Sequence, residues 1–146
     1  MKEKLDELIN MWDKDSEIDR TEPGRALIDI PKLHSKYLTI LSNHRLLSKE
    51  SEYKLMKMKR LRWEYYTGKL DDETLKKWGW EQFPFVLKAE ISMYLESDEH
   101  IDNWKKRKII HDEIIDVCNA ILKELNNRAW ELKSFIDWEK FINGGN

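Results

Sequence analysis

Basic and aromatic side chains alternate along one segment near the middle of the chain, residues 54–69. The segment reads KLMKMKRLRWEYYTGK. Binding to single-stranded nucleic acid needs this combination, because cations neutralise phosphates and flat rings stack on unpaired bases. A basic run with two tyrosines is equally typical of a solvated helix with core aromatics. On composition alone, both interpretations stay open.

A helical projection separates this segment into two faces. The first face, which we expect to contact a DNA backbone, holds Lys57, Lys59, Arg60 and Trp63. Arg60 and Lys59 lie three and four positions from Trp63 and therefore flank the indole. The opposite face is apolar and holds Leu55, Met58, Leu61, Tyr65 and Tyr66, with Arg62 among them. Arg62 has two possible roles: it extends to a phosphate, or it pairs with a carboxylate at a subunit contact.

The net charge of −2 conceals a strong asymmetry. Residues 32–69 carry ten basic and three acidic side chains, whereas residues 1–30 and 70–103 are each predominantly acidic. Local clustering of positive charge is typical of proteins that bind polyanions. The alternative is that the basic helix docks acidic protein surfaces, in this chain or in a partner.

The elements that position this segment are predicted to be helices. Only five glycines and three prolines occur in 146 residues, and 37% of the chain is charged, which favours an all-α fold with a few long helices. We predict a single helical domain, 1–146, with these parts: a short N-terminal helix at 1–12, an acidic linker at 13–30, a basic DNA-binding helix at 31–69 (helical to about 67), short helices at 70–100, and a C-terminal segment at 101–146 (helical over about 101–142).

Helix boundaries are predicted from glycine and proline. Pro31 suits the first turn of the basic helix, and Gly68 suits its C-terminal cap. Asp71 is a candidate N-cap for a short helix that ends at Gly79. Two long helices with apolar stripes cannot bury them within a monomer of this size, so a homo-oligomer is expected.

Motifs for catalysis and metal binding are missing from the sequence. It contains no glycine-rich phosphate loop and no serine nucleophile motif, and its four histidines lack metal-ligand spacing. Cys118 lies among apolar residues and is interpreted as a small core residue. We therefore predict no enzymatic activity, no catalytic residues, no metal and no cofactor.

Two further features concern location and an aromatic turn. No apolar run is long enough to cross a membrane and no signal segment is visible, so a cytoplasmic protein without membrane contact is expected. Trp78, Trp80, Phe83 and Phe85 form an aromatic stretch. Packing between helices is its favoured interpretation, and a stacking platform or a partner pocket is the alternative.

Three segments resemble a known family, the UvsY recombination mediators of T-even-type bacteriophages. Arg60-Leu61-Arg62-Trp63-Glu64-Tyr65-Tyr66-Thr67-Gly68 is similar to a family signature of the form Lys/Arg-x-Arg-x-Asp/Glu-Tyr-Tyr-Ser/Thr-Gly. The C-terminal part, with Asp116-Val117-Cys118, residues 128–133, Asp137, Phe141 and Gly144, resembles the closing helix of the family, and residues 35–38 give a weaker similarity. Lys59, Leu61 and Trp63 depart from the family pattern.

The resemblance implies a function in DNA recombination, repair and replication. It implies a ring of six or seven subunits, held by the C-terminal helices, that acts in the cytoplasm of the host cell. Its partners would be single-stranded DNA, the phage single-stranded DNA-binding protein and a phage RecA-like recombinase that the mediator helps to load. The helical projection and the resemblance together predict these DNA-binding residues: Lys57, Lys59, Arg60, Arg62, Trp63, Tyr65 and Tyr66. A scaffold that docks acidic proteins remains the alternative; a helix-turn-helix regulator lacks support because no short helix pair with a tight glycine turn is found.

Overall fold

Five α-helices form the chain in a computed structural model that describes residues 1–144. They are α1 (Lys2–Asp15), α2 (Pro23–Tyr66), α3 (Asp72–Trp78), α4 (Ile91–Glu96) and α5 (Glu99–Ile142). A 3₁₀ turn, Lys88–Glu90, precedes α4, and residues 1–144 contain no β-strand. The predicted all-α class with two long helices is confirmed. The last two positions of the predicted 101–146 segment, Gly145 and Asn146, lie outside the described residues.

The acidic linker predicted at 13–30 is shorter than expected. Only residues 16–22 are non-helical, because α1 continues to Asp15 and α2 begins at Pro23 rather than at Pro31. Pro23 takes the first helical position, where its missing N–H is no loss, and the Ala26 amide donates to the Glu22 carbonyl at 3.2 Å. Pro31 is therefore inside the helix. The half-buried residues Ala26, Leu27 and Ile30 continue the apolar stripe upstream of it.

The chain divides into two compact units. Unit 1 comprises Met1–Leu46 together with the chain from Ile110 onward, and unit 2 comprises Leu47–Ile109. Each unit has its own packed residues. In unit 1, α1 packs against the long helices, and in unit 2 the aromatic turn after α3 packs against the end of α2. The two long helices, α2 and α5, are each divided between the units: α2 after Leu46 and α5 after Ile109.

Unit 1 has a hydrophobic core to which α1, α2 and α5 contribute. Its fully buried members are Leu8, Tyr37, Leu41, Ile114, Cys118, Ile121 and Leu125. The four from α5 recur at spacings of four, three and four residues, which places them on one face of the helix. Burial raises the pKa of the Cys118 thiol to about 11, in agreement with its interpretation as a core residue.

Polar groups of unit 1 close the end of α1. The Arg128 guanidinium donates to the carbonyl oxygens of Asp15 and Ser16 at 3.1 and 3.0 Å, which places a positive charge at the negative end of the helix dipole. The Asp15 carboxylate accepts hydrogen bonds from Lys36 Nζ at 2.6 Å and Tyr37 Oη at 2.7 Å. Burial opposes ionisation of Asp15, but these two donors outweigh it and lower the pKa of the carboxyl group.

Two of the four histidines meet inside unit 1. The Nδ1 atoms of His44 and His111 lie 2.9 Å apart, so one ring donates and the other accepts. Burial lowers the pKa of His44, and the positive charges of His111 and Lys4 lower it further. The sequence spacing of 67 residues gave no sign of this pair.

Candidate nucleic-acid interface

The last turns of α2, in unit 2, present an exposed cationic surface. Lys57, Lys59 and Arg60 are all exposed, as the helical projection predicts. Arg60 Nε donates to Glu64 Oε1 at 3.1 Å across one helical turn. Such an exposed pair contributes about 0.3–0.5 kcal/mol. The guanidinium is therefore easily released to another anion.

Trp63 lies on the same surface and carries a lysine above its ring. Its side chain is 41% exposed, and Lys69 Nζ lies 4.2 Å from the ring centroid. This distance is within the range of a cation–π interaction. We define the cationic face as Lys57, Lys59, Arg60, Trp63 and Lys69.

The turn that ends α2 brings Lys69 to this position. Gly68 adopts a left-handed conformation with φ of 72°, as its predicted capping role requires. The Gly68 amide donates to the Tyr65 carbonyl at 3.2 Å, and the Lys69 amide donates to the Glu64 carbonyl at 2.8 Å. These two bonds fold the chain back over the last turn. Lys69 was absent from the predicted DNA-binding residues, although the glycine one position before it signals such a reversal.

Arg62 occupies a different environment from its neighbour Arg60. Its side chain is only 9% exposed, and its Nε donates to Asp98 Oδ2 at 2.7 Å. A second guanidinium nitrogen donates to the Tyr66 hydroxyl at 3.2 Å. Arg62 therefore pairs with a carboxylate, as one of its two predicted roles requires, but that carboxylate belongs to its own chain.

Asp98 connects α2 to the start of α5. Its Oδ1 accepts the Ile101 amide at 3.1 Å, so the side chain caps α5, while its Oδ2 accepts hydrogen bonds from Arg62 and from the Tyr66 hydroxyl. Burial of the carboxyl group opposes ionisation. The hydrogen bonds from Tyr66, Arg62 and the Ile101 amide outweigh it and hold the pKa of Asp98 below its usual value.

An aromatic cluster surrounds the Arg62 guanidinium. Arg62 Cζ lies 4.4 Å from the ring centroids of both Tyr65 and Trp80 and 5.1 Å from that of Tyr66. Tyr65 also donates through its hydroxyl to the Glu81 carbonyl at 2.7 Å, which fixes the loop after α3. The positive charge of Arg62 is thus satisfied by a carboxylate and by three ring faces.

The seven predicted DNA-binding residues therefore divide into two groups. Four lie on the exposed surface: Lys57, Lys59, Arg60 and Trp63. Three lie in or against the aromatic cluster: the buried Arg62 and the half-buried Tyr65 and Tyr66.

The aromatic stretch at 78–85 is divided in the same way. Trp80 and Phe83 pack against tyrosines, with Tyr65–Trp80 and Tyr66–Phe83 ring centroids 5.3 and 4.8 Å apart. Trp78 is 42% exposed and stacks on Trp80, whereas Phe85 is 93% exposed. The favoured prediction of helix packing is therefore met by Trp80 and Phe83 but not by Phe85.

Several large apolar side chains are exposed in unit 1 near the end of α5. They are Trp130, Trp138, Phe141 and Ile142. Trp138 and Phe141 stack on each other with ring centroids 5.8 Å apart. Large exposed apolar patches on a helix are typical of protein–protein contacts.

Residues 1–144 offer neither a metal-binding cluster nor a membrane-spanning helix. No cluster of three or more histidine, cysteine, aspartate or glutamate side chains in this range has a metal-binding arrangement. No helix in the same range is long and apolar enough to cross a membrane.

Comparison with solved structures identifies the fold. Two crystal forms of the bacteriophage T4 recombination mediator protein UvsY match with TM-scores of 0.79 and 0.77. Their sequence identities are 21% and 20%, and the alignments cover 95% and 94% of this chain and 97% of each T4 chain. The fold is therefore shared along nearly the whole length of both proteins.

The sequence matches the model of a family described as recombination, repair and ssDNA binding protein UvsY. The match covers residues 11–145. No curated protein matches the sequence. Because the family match spans most of the chain, and the fold agrees with it, this protein belongs to the UvsY family.

Proposed function

We propose that the protein is a recombination mediator that binds single-stranded DNA and promotes loading of a RecA-like recombinase onto DNA coated by the phage single-stranded DNA-binding protein. Membership of the UvsY family supports a role in recombination and repair. The structural observation that carries the proposal is the cationic face, in which four exposed cations accompany a partly exposed indole and one of them, Lys69, lies over its ring.

The residues of this region have two kinds of role in the proposal. Lys57, Lys59, Arg60 and Lys69 neutralise phosphates, and Trp63 stacks on a base. Arg62, Tyr65 and Tyr66 act as positioning residues, since the first is ion-paired with Asp98 and the tyrosines pack around it. They hold the end of α2 against the loop after α3 and so fix the cationic face.

Self-association strengthens such a surface. One subunit offers only a few phosphate contacts, but an assembly of six or seven subunits presents the same face repeatedly to one flexible strand. Later contacts are then effectively intramolecular. The exposed apolar side chains near the end of α5 support assembly through that helix. In the cytoplasm of the host, the assembly competes with the coat protein for phosphates and exposes DNA to the recombinase.

A fluorescence-anisotropy titration with labelled oligo-dT tests the proposal. Wild-type protein is expected to bind oligo-dT in preference to duplex, with affinity that falls steeply as salt is raised. Each phosphate contact contributes a slope of about 0.7 log units in affinity per log unit of salt. The Lys59→Ala/Arg60→Ala variant is expected to bind more weakly and to show a shallower slope.

Lys123→Ala provides the matched control, because Lys123 is an exposed cation of α5 in unit 1. It is expected to retain the wild-type slope. Equal slopes for all three proteins would contradict the assignment of the cationic face. Absence of oligo-dT binding at low salt would contradict the function itself and favour the alternative, a scaffold that docks acidic proteins.

A further inference from the structure

A cleft opens in unit 2 beside the turn that ends α2. Its volume is about 340 Å³, within the range of about 300–1,000 Å³ typical of small-ligand sites. Its lining includes Tyr66 and Gly68 from the end of α2, and Phe83 and Phe85 from the loop after α3. Gly68, which lines the cleft, is followed in the chain by Lys69 of the cationic face.

The inner wall of the cleft is rigid and aromatic. The rings of Tyr66 and Phe83 meet edge to face, at 4.8 Å between centroids and 85° between planes. Tyr94 supports both rings from behind, at 5.6 and 5.2 Å. An inner wall held by three mutually packed rings presents a fixed apolar surface to a ligand.

Phe85 leaves an aromatic ring unburied at the mouth of the cleft. It is 93% exposed, although a buried phenylalanine would stabilise the fold by about 1.5–3 kcal/mol. Pro84 precedes it and restricts the backbone at that position. An exposed ring of this kind is suited to stacking on a flat ligand.

The polar groups of the cleft favour a ligand that joins a flat ring to an anion. Lys88 is the one charged side chain among the described residues that line it, and no carboxylate is present there. The Gln82 side chain, also in the lining, both donates and accepts hydrogen bonds and therefore suits the edge of a nucleobase. A nucleotide unit combines all these features.

We propose that this cleft binds one nucleobase of the single strand whose phosphates lie on the cationic face. The base stacks on Phe85 between the loop and the Tyr66–Phe83 wall, and Lys88 contacts the adjoining phosphate. This inference rests on the proposed function and adds to it a base-binding subsite outside the basic segment.

Paired titrations with oligo-dT and with an abasic oligomer of equal length test the subsite, because the two ligands carry the same phosphates. Phe85→Ala is expected to weaken oligo-dT binding about tenfold, which corresponds to one lost stacking interaction, and to leave abasic binding unchanged. Phe85→Trp is expected to restore the affinity. Since Phe85 is almost fully exposed, its replacement removes little packing and the variant should fold normally.

Leu87→Ala is the matched control: Leu87 is an exposed apolar residue two positions further on, outside the lining of the cleft. It should bind both oligomers like the wild type. If Phe85→Ala keeps wild-type affinity for oligo-dT, the subsite is wrong and the mediator function stands. If wild-type protein binds both oligomers equally, the subsite and the stacking role of Trp63 are both wrong, and only phosphate binding by the cationic face stands. If wild-type protein binds neither oligomer, the proposed function fails and the subsite fails with it.

Discussion

Arg60 and Arg62 belong to the same short motif, yet they occupy opposite surroundings. Arg60 is exposed and holds only a surface pair with Glu64, whereas Arg62 is buried against Asp98 and three aromatic rings. Two residues along an α-helix correspond to a rotation of about 200°, so alternate positions of a basic run face different ways. The comparison shows that one arginine is available to a ligand while the other holds the fold that positions it.

The largest expected difference between the two arginines concerns stability. Arg62→Ala removes the cation that pairs with the buried Asp98 carboxylate, and this loss should lower the free energy of unfolding by about 3–5 kcal/mol. Arg60→Ala removes only an exposed pair and should change it by about 0.5 kcal/mol or less. Urea denaturation of both variants measures the contrast.

The same two variants should behave in the opposite way toward DNA. At a temperature where both are folded, Arg60→Ala should flatten the salt dependence of oligo-dT binding and Arg62→Ala should keep it. A stable Arg62→Ala variant with a flattened slope would show that Arg62 contacts phosphates directly.

A smaller effect is expected from the two exposed tryptophans of unit 2. Trp63→Ala should weaken oligo-dT binding by about 1–3 kcal/mol, because it removes a stacking ring from the cationic face. Trp78 is equally exposed, at 42% against 41%, but stacks on Trp80 and has no cation above its ring, so Trp78→Ala should bind normally. Anisotropy titrations give both affinities, and equal losses would remove the distinction.

The smallest effect is expected from protonation of Asp98. Its pKa in the folded state lies below the ordinary value of 3.8, so its contribution to stability is complete above that pH and is lost as the pH falls through the folded-state pKa. Asp98→Asn keeps the helix cap but has no charge to lose. The difference in unfolding free energy between wild type and this variant should narrow from pH 7 to about pH 3 in urea titrations, and a constant difference would contradict the role of the carboxylate.

The features that the sequence predicted correctly depend on neighbouring residues. Gly68 and Gly79 end α2 and α3 as predicted, and Asp71 caps α3 through the Thr74 amide at 2.8 Å. The outward direction of Lys59 and Arg60 follows from helical periodicity alone. α2 begins at Pro23 rather than at the predicted Pro31, because a proline suits the first turn of a helix at either position and the half-buried residues between them continue the apolar stripe.

The features that the sequence did not predict depend on distant residues. Arg62 finds Asp98 36 positions away, and no local pattern indicates which of the many carboxylates it meets. The meeting of His44 with His111 has the same cause. The sequence does not distinguish the exposed Phe85 from Phe83, because both are phenylalanines of the same loop and only the fold shows that Phe83 packs against Tyr66.

The turn at Gly68 restricts which amino acids position 68 can accept. A Cβ atom added at this position would meet nothing within 4 Å, so steric room does not exclude a larger residue. The positive φ of Gly68 disfavours other residues, since placing an L-residue in this backbone conformation costs about 1–2 kcal/mol. Glycine is therefore required for its lack of handedness, and a D-alanine introduced by chemical synthesis should fit the turn, stiffen the unfolded chain and make the protein more stable.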